Sequence, residues 1–164
     1  MDTVIVYGTH YGTSLKVAQV LGEQIAGAVE LVDAKNIENI DLDKVDKLII
    51  GCGIKVGNIP NELKIWLEKE QDKIIKKELY IYMCAGERDE SKIKELFSNN
   101  FPQNIISSSR FITCVGGEVN LDKLSFFPKV VFGIVKKFNP GIDNLSEEKI
   151  TNLAKEINKL KVDL

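Results

Sequence analysis

A doubly wound α/β domain, with a five-stranded parallel sheet in the order 2-1-3-4-5, is the fold class this sequence predicts. Three observations point to it. Short, nearly continuous apolar runs recur along the chain, as strands buried on both faces require. Amphipathic stretches of helical period separate them, and strands alternating with helices imply right-handed crossovers and helices on both faces of one sheet. The 164 residues, 44% apolar and 28% charged, suit one globular domain spanning 1–164.

The elements follow in chain order. Val4-Ile5-Val6-Tyr7 is the first strand. Val17, Leu21 and Ile25, with Ala18 beside them, share one helical face. Val29-Glu30-Leu31-Val32-Asp33 is mixed in polarity, as an edge strand is. Residues 36–46 carry only a short, weak helical pattern. Leu48-Ile49-Ile50 is the third strand, and Leu63, Trp66 and Leu67 mark a helix with Pro60 near its start, where a missing N–H costs nothing. Trp66 reads as core. Leu79–Met83 is the fourth strand, followed by a helix through Ile93, Leu96 and Phe97 with Asp89 as its cap. Phe111–Val115 is the fifth strand. The last helix has Ser146 as N-cap, Glu147 and Glu148 at the positive end of the dipole, and Ile150, Leu153, Ala154, Ile157 and Leu160 as its buried stripe.

Composition excludes several function classes. The chain holds 22 basic and 24 acidic residues, net −2, so it lacks the basic field of a nucleic-acid binder. No run reaches the ~18 apolar residues of a membrane span, and residues 1–7 do not look like a secretion signal. Three widely spaced cysteines (Cys52, Cys84, Cys114) argue against a disulfide framework and for a reducing cytoplasm. All three fall near strand carboxyl ends, where they read as small buried hydrophobes. With His10 the only histidine and no CxxC, a structural zinc site lacks ligands.

In this topology ligands bind beyond the strand carboxyl ends, at the switch between strands 1 and 3. The loop after strand 1 is Gly8-Thr9-His10-Tyr11-Gly12-Thr13-Ser14. Glycines allow tight turns, and three hydroxyls sit with free amides at a helix N-terminus, which together make a phosphate site. No Gly-Lys-Ser/Thr follows, so it is not a triphosphate P-loop. The alternative is a plain strand-to-helix turn, which also favours Gly and Thr. This segment resembles the phosphate loop of flavodoxins and related FMN domains. The resemblance implies a flavodoxin-like fold with FMN as cofactor, and places Thr9, His10, Tyr11, Gly12, Thr13 and Ser14 at its phosphate.

The loop after strand 3, Ile50-Gly51-Cys52-Gly53-Ile54-Lys55-Val56-Gly57-Asn58, is richer in glycine than a turn needs. Its spacing mimics a dinucleotide fingerprint, but that motif belongs after the first strand. Ile-Gly-x-x-Ile-Lys-x-Gly is similar to the corresponding loop of the menaquinone-dependent protoporphyrinogen dehydrogenases, and the likeness covers most of the chain. It implies that Gly53, Ile54, Lys55, Val56 and Gly57 edge the flavin, and that the Gly57-Asn58 peptide turns its carbonyl toward the reduced ring. Cys84, Ala85 and Gly86, after strand 4, would cover its other side and leave it open, since they are small where flavodoxins usually place aromatics.

Residues 118–143 depart from the simple pattern. Within 126–138 stand four of the seven phenylalanines, with Lys129, Lys136 and Lys137 and no acid. This reads as a basic, aromatic amphipathic helix. It is either an ordinary core element or a surface for a lipid interface, a hydrophobic substrate or a partner protein.

The functional expectation is an FMN-dependent oxidoreductase that passes electrons from a hydrophobic donor to a quinone. It would be cytoplasmic, with 126–138 as its contact to the inner face of the membrane. The alternative is a soluble flavodoxin carrying electrons between redox partner proteins. A near-neutral charge, Lys55 and the insertion favour the first, because a shuttle of this kind is expected to be strongly acidic. No catalytic acid–base pair stands out, and no metal ligands are expected. A response regulator would need acids at the end of strand 1, where Gly8-Thr9-His10 has none.

Overall fold

The computed structural model of the chain describes residues 2–117 and 145–159. Five strands form one parallel sheet in the order β2-β1-β3-β4-β5. They are β1 (Asp2–Gly8), β2 (Val29–Asp33), β3 (Val45–Gly53), β4 (Glu78–Cys84) and β5 (Phe111–Cys114). The fold class read from the sequence is therefore the one observed. Helices α1 (Thr13–Gln24) and α5 (Glu147–Asn158) cover one face through Val17, Leu21, Leu153 and Ile157. On the other face lie α2 (Asn61–Ile74), α3 (Glu90–Asn100) and α4 (Gln103–Ser108), with Leu63, Leu67, Phe97 and Ile105 in the core. Trp66, 7% exposed, belongs to that core as expected.

Helix ends follow local chemistry. Asp89 caps α3 by accepting from Ser91 N and Lys92 N at 2.9 and 3.1 Å. Ser146 Oγ accepts from Lys149 N at 3.2 Å. The weak pattern at 36–46 forms two 3₁₀ turns, Ala34–Asn39 and Leu42–Lys44, entered through the Asp33 and Asp41 side chains. Helix α4, six residues entered at Pro102, was not among the expected elements.

Two features tie the sheet together from opposite ends. At the amino end of β4, the Glu78 carboxylate is buried. It accepts from Tyr80 Oη at 2.8 Å and lies 3.5 Å from Arg110 and 3.9 Å from Lys47. Lys47 Nζ also donates to Ile157 O at 2.7 Å, joining β3 to α5. Toward the carboxyl end, Tyr82 crosses the glycine at position 51. A Cβ there would stand 1.9 Å from Tyr82 Cζ. The ring passes through that gap, and its buried hydroxyl donates to Ser14 O at 2.8 Å, fastening the start of α1 to β4. Packing alone thus requires glycine at 51.

Among the described residues no helix is long and apolar enough to cross a membrane. The expected amphipathic helix at 126–138 lies outside the described residues.

Candidate functional site

Three loops meet beyond the carboxyl ends of β1, β3 and β4, at the switch point of the sheet. The first begins with Thr9, whose Oγ1 accepts from Gly12 N at 2.7 Å. That bond closes a tight turn and leaves the Thr9 hydroxyl proton to donate elsewhere. Gly12 is the N-cap of α1 at φ 93°, a left-handed conformation that favours glycine, and no side chain caps the helix. The first intrahelical bond runs from Lys16 N to Gly12 O at 3.1 Å. The earlier amides of the turn are those that helix geometry leaves for an acceptor outside the helix. Position, dipole and donors together suit a phosphate.

Ser14 lies in the first turn of α1. It is fully buried, and its Oγ stands 3.4 Å from Tyr82 Oη. Its side chain faces the Tyr82 anchor. Thr13 and Tyr11 are half-buried on the loop. His10 is exposed, with Nε2 3.3 Å from Asn58 O. Partial burial holds its pKa below the ordinary histidine value; the Lys55 charge adds to this, while the Asn58 carbonyl and Glu62 oppose it. The balance of these influences disfavours the charged ring.

The second loop is a tight two-residue turn. Lys55 N donates to Asn58 O at 2.9 Å, and Asn58 N to Lys55 O at 3.1 Å. Its central residues, Val56 and Gly57, have φ of 50° and 76°. Positive φ at both is the type I′ signature, which suits glycine but strains a β-branched valine. Val56 is 91% exposed. Lys55 Nζ lies 5.5 Å from the Tyr11 ring centroid, a cation–π distance that bridges the turn to the first loop. Asn100, at the end of α3, reaches the turn from the opposite side. It is 3% exposed, and its Nδ2 donates to Gly57 O at 2.9 Å and to Leu96 O at 2.8 Å. Its Oδ1 accepts from Ile59 N at 3.0 Å. Sequence reasoning missed Asn100, and only the polar end of α3 before Phe101-Pro102 hints at it.

Gly53 and Ile54 join the loops. A Cβ at Gly53 would lie 3.9 Å from both Gly8 O and His10 N, so the first two loops run side by side. Ile54 N donates to Cys84 O at 3.1 Å, extending the β3–β4 ladder into the site. Ala85 is buried and Gly86 half-buried, presenting a small surface. Glu87 Oε1 accepts from Arg88 N and Asp89 N, both at 2.9 Å, and turns the third loop into α3.

The three thiols do not converge. Cys52 and Cys114 both align with Met83 and pack in the α2–α4 core, with β4 between them. Two strand spacings, about 9.5 Å, exceed disulfide reach. Cys84 packs on the other face, against α1 and α5. Burial pushes the Cys52 and Cys84 thiols up, so they stay protonated at neutral pH. Among the described residues no cluster of His, Cys, Asp and Glu suits a metal ion.

A parallel α/β sheet with a hydroxyl-lined, lysine-free turn after β1 and a glycine turn after β3 has the architecture of an FMN domain. The family profile described as Flavodoxin domain matches residues 4–146, and the chain belongs to that family. Solved structures agree on the fold. The chain is 12% identical to a Streptococcus pneumonia TIGR4 flavodoxin (TM-score 0.54), over 96% of this chain and 97% of that one. It is 16% identical to two-electron reduced Megasphaera elsdenii flavodoxin (TM-score 0.53), over 93% and 98%. It is 14% identical to a flavoprotein from Lactobacillus acidophilus NCFM in complex with FMN (TM-score 0.53), over 69% and 92%. It also spans 34% of the Flv1 flavodiiron core from Synechocystis, at 11% identity and TM-score 0.51. No curated protein matches the sequence.

Proposed function

We propose that this chain is an electron-transfer flavoprotein that holds FMN across the three loops. The observation that carries this reading is the Thr9–Gly12 turn at the N-terminus of α1, in contact with the Lys55–Asn58 turn through His10 and Tyr11. The donor set fits the cofactor: hydroxyls and amides for a phosphate, no carboxylate within 9–14, and a small Ala85-Gly86 surface for a flat ring. Thr9, Tyr11, Gly12 and Thr13, with the Ser14 amide, would hold the phosphate. Gly53, Ile54, Lys55, Val56 and Gly57 would edge the ring on one side, and Cys84, Ala85 and Gly86 on the other. Bound FMN would supply the one- and two-electron chemistry; the protein positions it and sets its potential. Family membership supports this, as do the relatives described with FMN and as two-electron reduced. The experiment is titration of flavin-free protein with FMN and riboflavin, followed by the visible spectrum. Tighter binding of FMN supports the phosphate site, and equal affinity for the two would overturn it.

For the direction of electron flow we favour a hydrophobic donor and a quinone acceptor, in the manner of the menaquinone-dependent protoporphyrinogen dehydrogenases. A net charge of −2, Lys55 and the basic aromatic segment 126–138 support this reading, the last also as a contact with a hydrophobic substrate or the inner face of the membrane. The second reading, a soluble cytoplasmic carrier serving redox partner proteins, rests on family membership and on the flavodoxins among the solved structures. Quinone reduction by the full chain, lost when 126–138 is deleted with FMN retained, fits the first. Unchanged reduction of protein partners by the deleted chain fits the second.

A further inference from the structure

β5 is an end strand of the five-stranded sheet, and it turns Ile112 and Cys114 toward the face that carries α3 and α4. Among the described residues a groove of about 540 Å³ remains between these two helices and β5. Small-molecule sites typically enclose about 300–1,000 Å³. Ile93 and Phe97 of α3 and Ile106 of α4 complete the apolar walls. Ile93, Ile106 and Ile112 pack on the core yet are only half-buried, so part of their surface faces the groove uncovered. The rim is charged. Lys94, one turn beyond Glu90 on α3, and Lys149, in the first turn of α5, both border the groove and are exposed. Lys149 Nζ donates to Cys114 O at 3.2 Å, which holds that ammonium against the β5 wall with two N–H donors to spare. Among the described residues neither lysine stands in an ion pair, and Glu90 is the acid at the rim, so two cations meet one anion there. The hollow between the first 3₁₀ turn and α2 differs. It measures about 360 Å³ and is bordered by four acids and three lysines, with Glu70 within 4.0 Å of both Lys69 and Lys73. A border that neutralises itself in this way selects no ligand charge.

We propose that the groove between α3, α4 and β5 binds a small amphipathic carboxylate, with its apolar chain along Ile93, Ile106 and Ile112 and its carboxylate at the Lys94 and Lys149 ammonium groups. Burial of the chain supplies affinity and is indifferent to the sign of the head group. The two lysines supply the selection, since a carboxylate gains from both and a cationic head group is repelled by both. The site is separate from the three loops read as the FMN site, and binding in it does not depend on the flavin. The two are neighbours all the same: Cys114 Sγ, in the wall of the groove, donates to Ala85 O at 3.7 Å.

The test is titration of the full chain, labelled at its isoleucine methyl groups, with dodecanoate, dodecanol and dodecyltrimethylammonium below their micellar ranges, followed by NMR. Dodecanoate should shift the methyls of Ile93, Ile106 and Ile112 saturably and leave those of Ile5, Ile49 and Ile157, in the core on the opposite face, in place. It should bind about tenfold tighter than the ammonium probe, with dodecanol between them, and this preference should shrink as salt is raised. Lys94→Gln/Lys149→Gln changes two exposed side chains and should reduce the preference to about twofold or less while dodecanol affinity holds. Ile93→Gln should weaken all three probes together. If Ile93→Gln does not fold, the lysine pair decides the matter alone. No saturable shift in the parent chain, shifts spread equally over both faces, or a preference that survives loss of both lysines would each overturn the site. So would methyl shifts that follow protein concentration without any probe, which would seat a second copy in the groove. Binding that emerges only when 126–138 is deleted would give the groove to that segment and overturn the site equally.

Discussion

The two ends of the sheet handle polar groups in opposite ways. At the amino end a buried carboxylate, Glu78, is engaged internally by Tyr80, Lys47 and Arg110. At the carboxyl end the contacts between loops are neutral or cation–π, and the amides opening α1 precede the first intrahelical donor. The difference teaches where to look for chemistry in a parallel sheet. A buried charge that is fully paired marks architecture, whereas converging donors around a glycine N-cap mark a place for something else to bind.

The widest separation of the two ends should come from Glu78→Ala. Removing one member of a buried ion cluster strands Lys47 beside Ile157 O and costs about 3–4 kcal/mol of stability. Urea unfolding would show that loss while FMN affinity per folded molecule stays constant; a parallel loss of affinity would mean the ends are coupled. The reverse experiment is Thr9→Ala/Thr13→Ala. It should weaken FMN binding by about 2–3 kcal/mol, some 30- to 150-fold, with riboflavin affinity little changed and stability lowered by about 1 kcal/mol through the lost Thr9–Gly12 bond. Loss of both ligands alike would move the hydroxyls from a phosphate role to a folding role.

Much of this contrast was legible in the residues themselves. Asp89 and Ser146 cap helices through bonds to residues two or three positions on, so local spacing was enough to find them. The Thr9–Gly12 turn is equally local. The hidden parts are long-range. Ser14 turns inward because Tyr82, 68 residues away, reaches it through the gap at Gly51. Asn100 meets the turn across 41 to 43 residues, and a polar residue at a helix end carries no sign of that. Helix α4 escaped because six residues are too few to show a period.

Lys55 sharpens the comparison on a smaller scale. If FMN binds as proposed, its charge would stand beside a reduced, anionic ring and raise the potential. At ~6 Å and an effective dielectric of ~20 the interaction is roughly 3 kcal/mol before solvent screening. Exposure of the side chain reduces it to about 1 kcal/mol, so Lys55→Gln should lower the one-electron potential by about 40 mV. A potentiometric titration showing no shift, or a rise, would mean that the Tyr11 contact keeps the ammonium away from the ring.

The smallest expected effect belongs to the amino end. Burial, then the bond to Glu78 and its charge, push the Tyr80 hydroxyl up to about 12 from the model-peptide value of 10.0. The folded protein therefore holds this proton more tightly than the unfolded chain does. The associated stability is fully present below about pH 10 and is lost as pH rises through about 12. Tyr80→Phe should flatten that alkaline decline in unfolding free energy while leaving the pH dependence of FMN binding untouched. An unaltered decline would assign it to other groups.

The passage of Tyr82 over Gly51 also bears on how this sequence is free to drift. A methyl at 51 and the ring at 82 exclude each other, whichever arises first, so a lineage acquires a side chain at 51 only after position 82 has shrunk. A smaller residue at 82 in turn gives up the hydroxyl that holds Ser14 O, loosening the start of α1. The two positions are expected to covary among relatives, with the opening residues of the first helix changing alongside them, so that an evolutionary signature of the first loop would be written 68 residues away from it.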